Sequence, residues 1–126
     1  MARECILIVE DYVPLLVALR EILEGEGYTV HTAADGVQAL EALEEVLPDL
    51  IVADVMMPHM DGYGLYEAVR AHPDWASIPF IFLTAKAEQE DVLRGKGLGA
   101  EDYITKPFDP RELVRMISAC LRGGTR

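Results

Sequence analysis

Short apolar runs that stop at a polar residue recur along this chain, and each is followed by a stretch with helical spacing. Cys5-Ile6-Leu7-Ile8-Val9 runs into Glu10-Asp11, and Tyr28 to Ala33 is centred on Val30. Leu50-Ile51-Val52-Ala53 runs into Asp54, Pro79-Phe80-Ile81-Phe82-Leu83 into Thr84, and Asp102-Tyr103-Ile104-Thr105 into Lys106-Pro107. Brief apolar runs bounded by turn signals mark strands buried on both faces. Between them, Tyr12 to Glu24 reads as a helix with Leu15, Leu16, Leu19, Ile22 and Leu23 on one stripe. Pro14 is tolerated in its first turn, and Gly25-Glu26-Gly27 stops it. Asp35-Gly36 opens a second helix carrying Val37, Leu40, Leu43 and Leu47, ended by Pro48-Asp49. Asp61-Gly62 begins a third with Leu65, Ala68 and Val69 inward; both opening residues read as loop and cap rather than chemistry. Glu88 to Lys96 is a weaker fourth helix, because Gly95, Gly97 and Gly99 lower its propensity. Asp109-Pro110-Arg111-Glu112 has a capping-box pattern with Pro at the first helical position, ahead of Leu113, Met116, Ile117, Cys120 and Leu121 at helical spacing. Five βα units in strict alternation call for a doubly wound α/β fold: a five-stranded parallel sheet with right-handed crossovers and helices on both faces.

At 126 residues the chain is long enough for one ordinary domain (1–126, with a folded core over about 4–122) and too short for two. A hydrophobic fraction of 51% suits strands that are apolar on both faces. The formal charge of −11 repels phosphate backbones and anionic lipid, so direct nucleic-acid binding and membrane association are not expected, and a basic partner or a cation is. Cys5 and Cys120 sit in apolar stretches without metal spacing and read as packed thiols, which fits a reducing cytoplasm. The apolar run Ile6 to Val9 is too short for a signal peptide, and no stretch is long enough for a membrane span.

In a parallel sheet all carboxyl strand ends share one edge, the edge at which open α/β sheets place their chemistry. Here that edge collects Glu10, Asp11, Asp54, Thr84 and Lys106, drawn from four strand ends far apart in sequence. Clustered carboxylates raise each other's pKa unless a cation joins them. Oxygen-only ligands suit a hard cation, and Mg²⁺ is the natural one where few carboxylates are supplied and water completes the shell. A carboxylate beside Mg²⁺, with an ammonium and a hydroxyl at hand, is equipped to accept a phosphoryl group. Metal and lysine would neutralise the transferring oxygens, and Thr84 would hydrogen-bond one of them.

With these residues in place the chain resembles the receiver domain of a bacterial two-component response regulator, the CheY-like family. The resemblance covers essentially the whole chain and is carried by Ile6-Leu7-Ile8-Val9-Glu10-Asp11, Asp54-Val55-Met56-Met57-Pro58-His59-Met60-Asp61-Gly62, Leu83-Thr84-Ala85-Lys86-Ala87, and Gly99-Ala100-Glu101-Asp102-Tyr103-Ile104-Thr105-Lys106-Pro107-Phe108. It implies the flavodoxin-like strand order 2-1-3-4-5, for which the chemotaxis regulator CheY is the standard example. It implies Asp54 as phosphoacceptor, Asp11 as direct Mg²⁺ ligand, Glu10 as a ligand through water, and the Met56 backbone carbonyl as a further ligand. Thr84 matches the switch hydroxyl, Lys106 the phosphate-contacting lysine, and Tyr103 the aromatic that turns inward as Thr84 moves. Lys106-Pro107 would be cis. The partners implied are a sensor histidine kinase or phosphotransfer protein upstream and an output domain or separate target downstream. The chain is then a signalling domain, catalysing only its own phosphorylation and dephosphorylation, whose fourth helix, fifth strand and fifth helix form the switching face.

Two positions depart from the family pattern. Glu10 stands where many receivers have a first aspartate, a change a water-mediated ligand should tolerate. OmpR-type regulators dimerise through the switching face with basic residues where this chain has Val92 and Met116; Asp102 and Glu112 match the acidic side, so a homodimer here lacks the expected cations. Other readings fit less well. A haloacid-dehalogenase-like phosphatase needs a second Asp where Met56 stands, and an FMN-binding flavodoxin needs a phosphate-cradling loop where Glu10-Asp11-Tyr12 would repel phosphate. The serious alternative is a pseudo-receiver that acts only as an interaction module; such domains usually lack a key residue, and none is missing here.

Overall fold

The computed structural model of the chain describes residues 4–85 and 102–123. In order the elements are β1 (Cys5–Val9), α1 (Val13–Gly25), β2 (Thr29–Ala33), α2 (Gly36–Leu43), β3 (Leu50–Asp54), α3 (Gly62–Ala71), β4 (Phe80–Ala85), β5 (Asp102–Lys106) and the C-terminal helix α4 (Pro110–Gly123). The helix expected over 88–96, with Val92 and Lys86, lies outside the described residues. The strands form one parallel sheet in the order β2-β1-β3-β4-β5, as expected. The Lys106–Pro107 peptide is cis. Among the described residues no helix is long and apolar enough to cross a membrane.

Side chains alternate across a strand, and the sheet uses that alternation to build two cores. Ile6 and Ile8 of β1, Leu50 and Val52 of β3, Ile81 and Leu83 of β4, and Ile104 of β5 pack with Leu19 and Leu23 of α1 and with Leu113 and Ile117 of α4. Leu7, Val9, Ile51, Ala53, Phe80 and Phe82 point the other way, against Ala39 and Leu43 of α2 and Leu65, Tyr66 and Val69 of α3. Each fully buried aliphatic side chain contributes about 1.5–3 kcal/mol. The two layers clamp the sheet so that its carboxyl edge is held from both sides. Cys120 is half-buried against the α1–α4 core, as its helical phase implied.

The helices on the α2–α3 face differ in detail from the sequence reading. α2 ends at Leu43, so Leu47 lies beyond it and is exposed, and Val37 is exposed as well. The buried stripe of α2 is Gly36, Ala39 and Leu43, a small-residue face that brings the helix axis close to its neighbours. Counting only bulky residues shifts the apparent phase of such a stripe. In α3 the inward side includes Tyr63 and Tyr66 besides Leu65 and Val69, while Ala68 is only half-buried. Tyr66 meets Phe80 edge-on with ring centroids 5.2 Å apart, and Tyr63 meets Phe82 at 5.1 Å, the geometry aromatic quadrupoles prefer.

The small-residue face of α2 makes a direct prediction. Ala39→Leu, at a fully buried site, should destabilise the fold by about 1–3 kcal/mol in urea unfolding. Val37→Gln, on the solvent side, should change stability by less than about 0.5 kcal/mol. The opposite order would mean that the phase of α2 is wrong.

Candidate functional site

Strand parity decides what meets at the carboxyl edge. Glu10 continues the Ile6–Ile8 side of β1, Asp54 the Leu50–Val52 side of β3, and Lys106 the Ile104 side of β5, so all three emerge on the α1–α4 face. The Glu10 N–H donates to the Ala33 carbonyl (3.0 Å), which keeps β1 in the sheet to its last residue. Just beyond, the Tyr12 N–H donates to Glu10 Oε2 (3.0 Å) and turns the carboxylate back over the start of α1. Glu10 and Asp54 are buried, whereas Asp11 is exposed at the mouth.

Asp54 closes β3, where it pairs in register with Leu83. The chain turns away immediately, and α3 begins against the strand it has just left: the Gly62 N–H donates to the Val55 carbonyl at 2.8 Å. A Cβ at Gly62 would collide with the Asp54 carbonyl oxygen and lie 2.9 Å from Val55 Cα, so only glycine permits this approach. Asp61 caps α3, accepting from the Gly64 N–H at 2.8 Å. The Asp-Gly pair that reads as a simple helix start therefore also sets how closely α3 approaches the Asp54 backbone.

Lys106 reaches from β5 to both buried acids, with Nζ 3.0 Å from Asp54 Oδ2 and 3.3 Å from Glu10 Oε1. The pairing is half-buried at the lysine and nearly complete at the acids. Burial works against the charged lysine, but the hydrogen bond and charge of Asp54, joined by Glu10, outweigh it and raise the Lys106 pKa. For Glu10 the balance runs the other way: burial, with the charge of Asp54 adding to it, pushes the carboxyl from 4.5 up to about 7, although the Tyr12 N–H and Lys106 both pull it down.

Glu10, Asp11 and Asp54 can each offer a carboxylate oxygen, and these atoms lie within 4.8 Å of one another. Three carboxylates against one ammonium leave net negative charge in a partly desolvated pocket. The donors are all hard oxygen, and a divalent cation of the Mg²⁺ type fits both the charge and the chemistry. Met56 lies beside this group: its N–H points to Asp54 Oδ1 over a long 3.4 Å, and its side chain is exposed.

Thr84 lies near the same edge but on the other face, and Tyr103 lies on that face further back along the sheet. Thr84 continues the Phe80–Phe82 side of β4 and is fully buried. Tyr103 pairs with Phe82 across β4 and β5 and packs, half-buried, on the α2–α3 core. The edge thus brings Glu10, Asp11, Asp54 and Lys106 together with Thr84 on the opposite face, and Tyr103 lies on that face beside Phe82, a division visible only once the strand register is known.

The sequence model of the response regulator receiver domain matches residues 6–118. The chain is 42% identical over 120 residues to the DNA-binding response regulator MtrA of Mycobacterium tuberculosis, a match that covers 95% of this chain and 51% of MtrA. The chain therefore spans about half the length of that curated relative. Among solved structures, it resembles the signal receiver domain of a signal transduction histidine kinase from Syntrophus aciditrophicus (40% identity, TM-score 0.89, covering 95% of this chain and 91% of that one). It also resembles the chemotaxis response regulator CheY4 of Vibrio cholerae (32% identity, TM-score 0.87, covering 94% and 98%).

The raised Glu10 pKa has a measurable consequence. Between pH 4.5 and about 7 the folded protein holds a proton on Glu10 that the unfolded chain has released. Stability contributed by that proton is complete below 4.5 and is lost as pH rises through about 7. In EDTA, the urea midpoint of the wild type should therefore fall over this window more than that of Glu10→Gln. At pH 8 the glutamine variant should be the more stable by about 1–3 kcal/mol. Parallel profiles for the two proteins would show that Glu10 is an ordinary carboxylate.

Proposed function

The chain belongs to the response regulator receiver domain family, and from that premise we propose that it accepts a phosphoryl group on Asp54 from a histidine kinase or phosphotransfer protein. The observation that carries this reading is the buried Asp54 carboxylate held by Lys106 at 3.0 Å beside Glu10 and Asp11. Asp54 is positioned as a nucleophile at a strand end whose backbone is fixed on both sides. An oxygen of its carboxylate attacks phosphorus as the nitrogen–phosphorus bond of the donor breaks, and the donor imidazole leaves with the electron pair. Lys106, already within reach of Asp54, follows the charge onto the phosphoryl oxygens. Asp11 and Asp54, with the Met56 carbonyl and with Glu10 through water, would hold Mg²⁺, which when bound neutralises charge on the transferring oxygens.

Once modified, Asp54 offers oxygens that Lys106 and the Thr84 hydroxyl can bind. Thr84 moving toward them vacates space on its own face of the sheet, and Tyr103, half-buried beside Phe82, turns further in. The phosphoryl group needs only to bias an existing equilibrium, and a few kcal/mol of differential contact is enough. The surface that changes is the one around β5 and α4, with the segment before β5. The relative MtrA is named as DNA-binding. With a charge of −11, this chain is suited to acting through a linked output domain or a separate target rather than on DNA itself.

Intact-mass analysis after incubation with acetyl phosphate tests the reading. The wild type should gain one phosphoryl group in Mg²⁺ and none in EDTA. Asp54→Asn should gain none, and Lys106→Ala should react roughly a hundredfold more slowly. An adduct that persists in Asp54→Asn at an equal rate would refute the assignment, and no adduct in the wild type under any condition would leave an interaction module that is not phosphorylated.

A further inference from the structure

The arc between β3 and α3 carries Met56, yet most of its backbone bonds are internal. Met60 N–H donates to Pro58 O at 2.7 Å and Gly62 N–H to Val55 O at 2.8 Å. Met57 and Met60 pack against the α2–α3 core, and the polar tie from the apex to the body of the fold is His59. Its side chain is 71% exposed, but Nδ1 lies 3.0 Å from Oδ2 of Asp35, whose side chain is only 9% exposed. Asp35 is itself immobilised: Oδ1 accepts from the Gln38 N–H at 2.8 Å as the cap of α2, and the Gln38 side chain returns to the Ala34 N–H at 3.0 Å. His59 is the one described non-glycine residue with positive φ, at 69°, a conformation that His, Asn and Asp tolerate better than most. The next residue, Met60, seats its side chain over two glycines. A Cβ at Gly36 would come 2.8 Å from Met60 Cγ, and one at Gly64 would come 3.2 Å from it.

A strained backbone at an exposed apex persists when its surroundings over-determine it. Here the surroundings are one buried carboxylate and one glycine-lined seat, both supplied by the β2–α2 turn and the start of the helices. We propose that the His59–Asp35 pair is a positioning device for the cation site: it holds the arc so that the Met56 backbone stays beside the Asp54 carboxylate. The proposal rests on the Mg²⁺-dependent reading above and assigns the pair no contact with the ion.

Variants at position 59 that all accept positive φ separate the donor from the backbone. In His59→Asn the amide nitrogen falls where Nδ1 now lies, so the pair is retained. In His59→Gly the backbone relaxes and the donor is gone. Asp35→Ser keeps an α2 cap but removes the acceptor for His59. Titration calorimetry with MgCl2 should show affinity reduced roughly three- to tenfold in His59→Gly, at or below the low end for groups acting through ligands, and within about twofold of wild type in His59→Asn. Asp35→Ser should weaken binding by the same factor as His59→Gly, and the double variant by no more than either. The phosphorylation rate from acetyl phosphate at saturating Mg²⁺ should be unchanged throughout, and thermal unfolding of His59→Gly should not be lowered.

Wild-type affinity in His59→Gly, equal weakening by Asn and Gly, or additive losses in the double variant would each overturn the proposal. Failure of the wild type to bind Mg²⁺ at all would instead bring down the phosphoacceptor reading, and this one with it.

Discussion

The ammonium of Lys106, held between Asp54 and Glu10, is the contact on which the carboxyl edge depends. Two buried carboxylates on adjacent strands would repel each other and resist burial. A lysine two strands away from Asp54 makes their burial tolerable without neutralising them. The arrangement needs β5 to be parallel to β3 with β4 between them, and it needs Lys106 to leave β5 on the α1–α4 face. Topology, register and parity are therefore all conditions of one salt link. Its incompleteness matters equally. With Asp11 at the mouth, one ammonium does not balance the acidic group, even with Glu10 partly protonated near neutral pH, and the residual negative charge suits a hard cation.

The sheet separates two tasks by the alternation of side chains. Residues that hold charge emerge on the α1–α4 side, and Thr84 with Tyr103 lies on the α2–α3 side among Phe80, Phe82 and the α3 tyrosines. On the proposed mechanism, a change at Asp54 must pass through the plane of the sheet to reach Tyr103. Thr84 is suited to that, being a small polar side chain one residue from the end of β4, fully buried and next in chain to Leu83, the register partner of Asp54. A packed sheet transmits such a displacement because its interior has little free volume to absorb it.

The strands, the order of their polar ends and the placement of Asp54 at the end of β3 were legible in the chain because apolar runs cut off by a charged residue leave few alternatives. The helix faces were less so. α2 buries Gly36 and Ala39 beside Leu43 and exposes Val37, and periodicity read from bulky residues alone sees only Leu43 of that stripe. Tyr63 and Tyr66 were not among the residues read as inward, and both are core, because their rings pack edge-on against Phe82 and Phe80. The convergence of Lys106 with Glu10 depends on residues 96 positions apart, which local pattern does not encode; the family resemblance supplied an expected role for Lys106, and the register supplied its geometry. The His59–Asp35 link had no sequence signal, because a histidine in a loop and an aspartate at a helix cap each look complete on their own.

A site of this kind is expensive to keep rigid. The carboxylates gather at strand ends, where the sheet supplies no further ladder bonds, and the loop that completes the site must leave β3 sharply without unravelling it. Gly62 solves the departure by letting α3 start against the Asp54 carbonyl. The remaining freedom lies at the apex, and there the fold uses a residue from a different unit, Asp35 of the β2–α2 turn, which α2 already holds for its own cap. One carboxylate thereby serves two helices: it satisfies an orphan N–H of α2 and restrains the entry to α3. Since α2 and α3 pack side by side on the same sheet face, the restraint joins elements that already touch, and its entropic cost is small. Local helix capping and the geometry of a remote charged site are in this way parts of a single network, with Asp35 as the shared node.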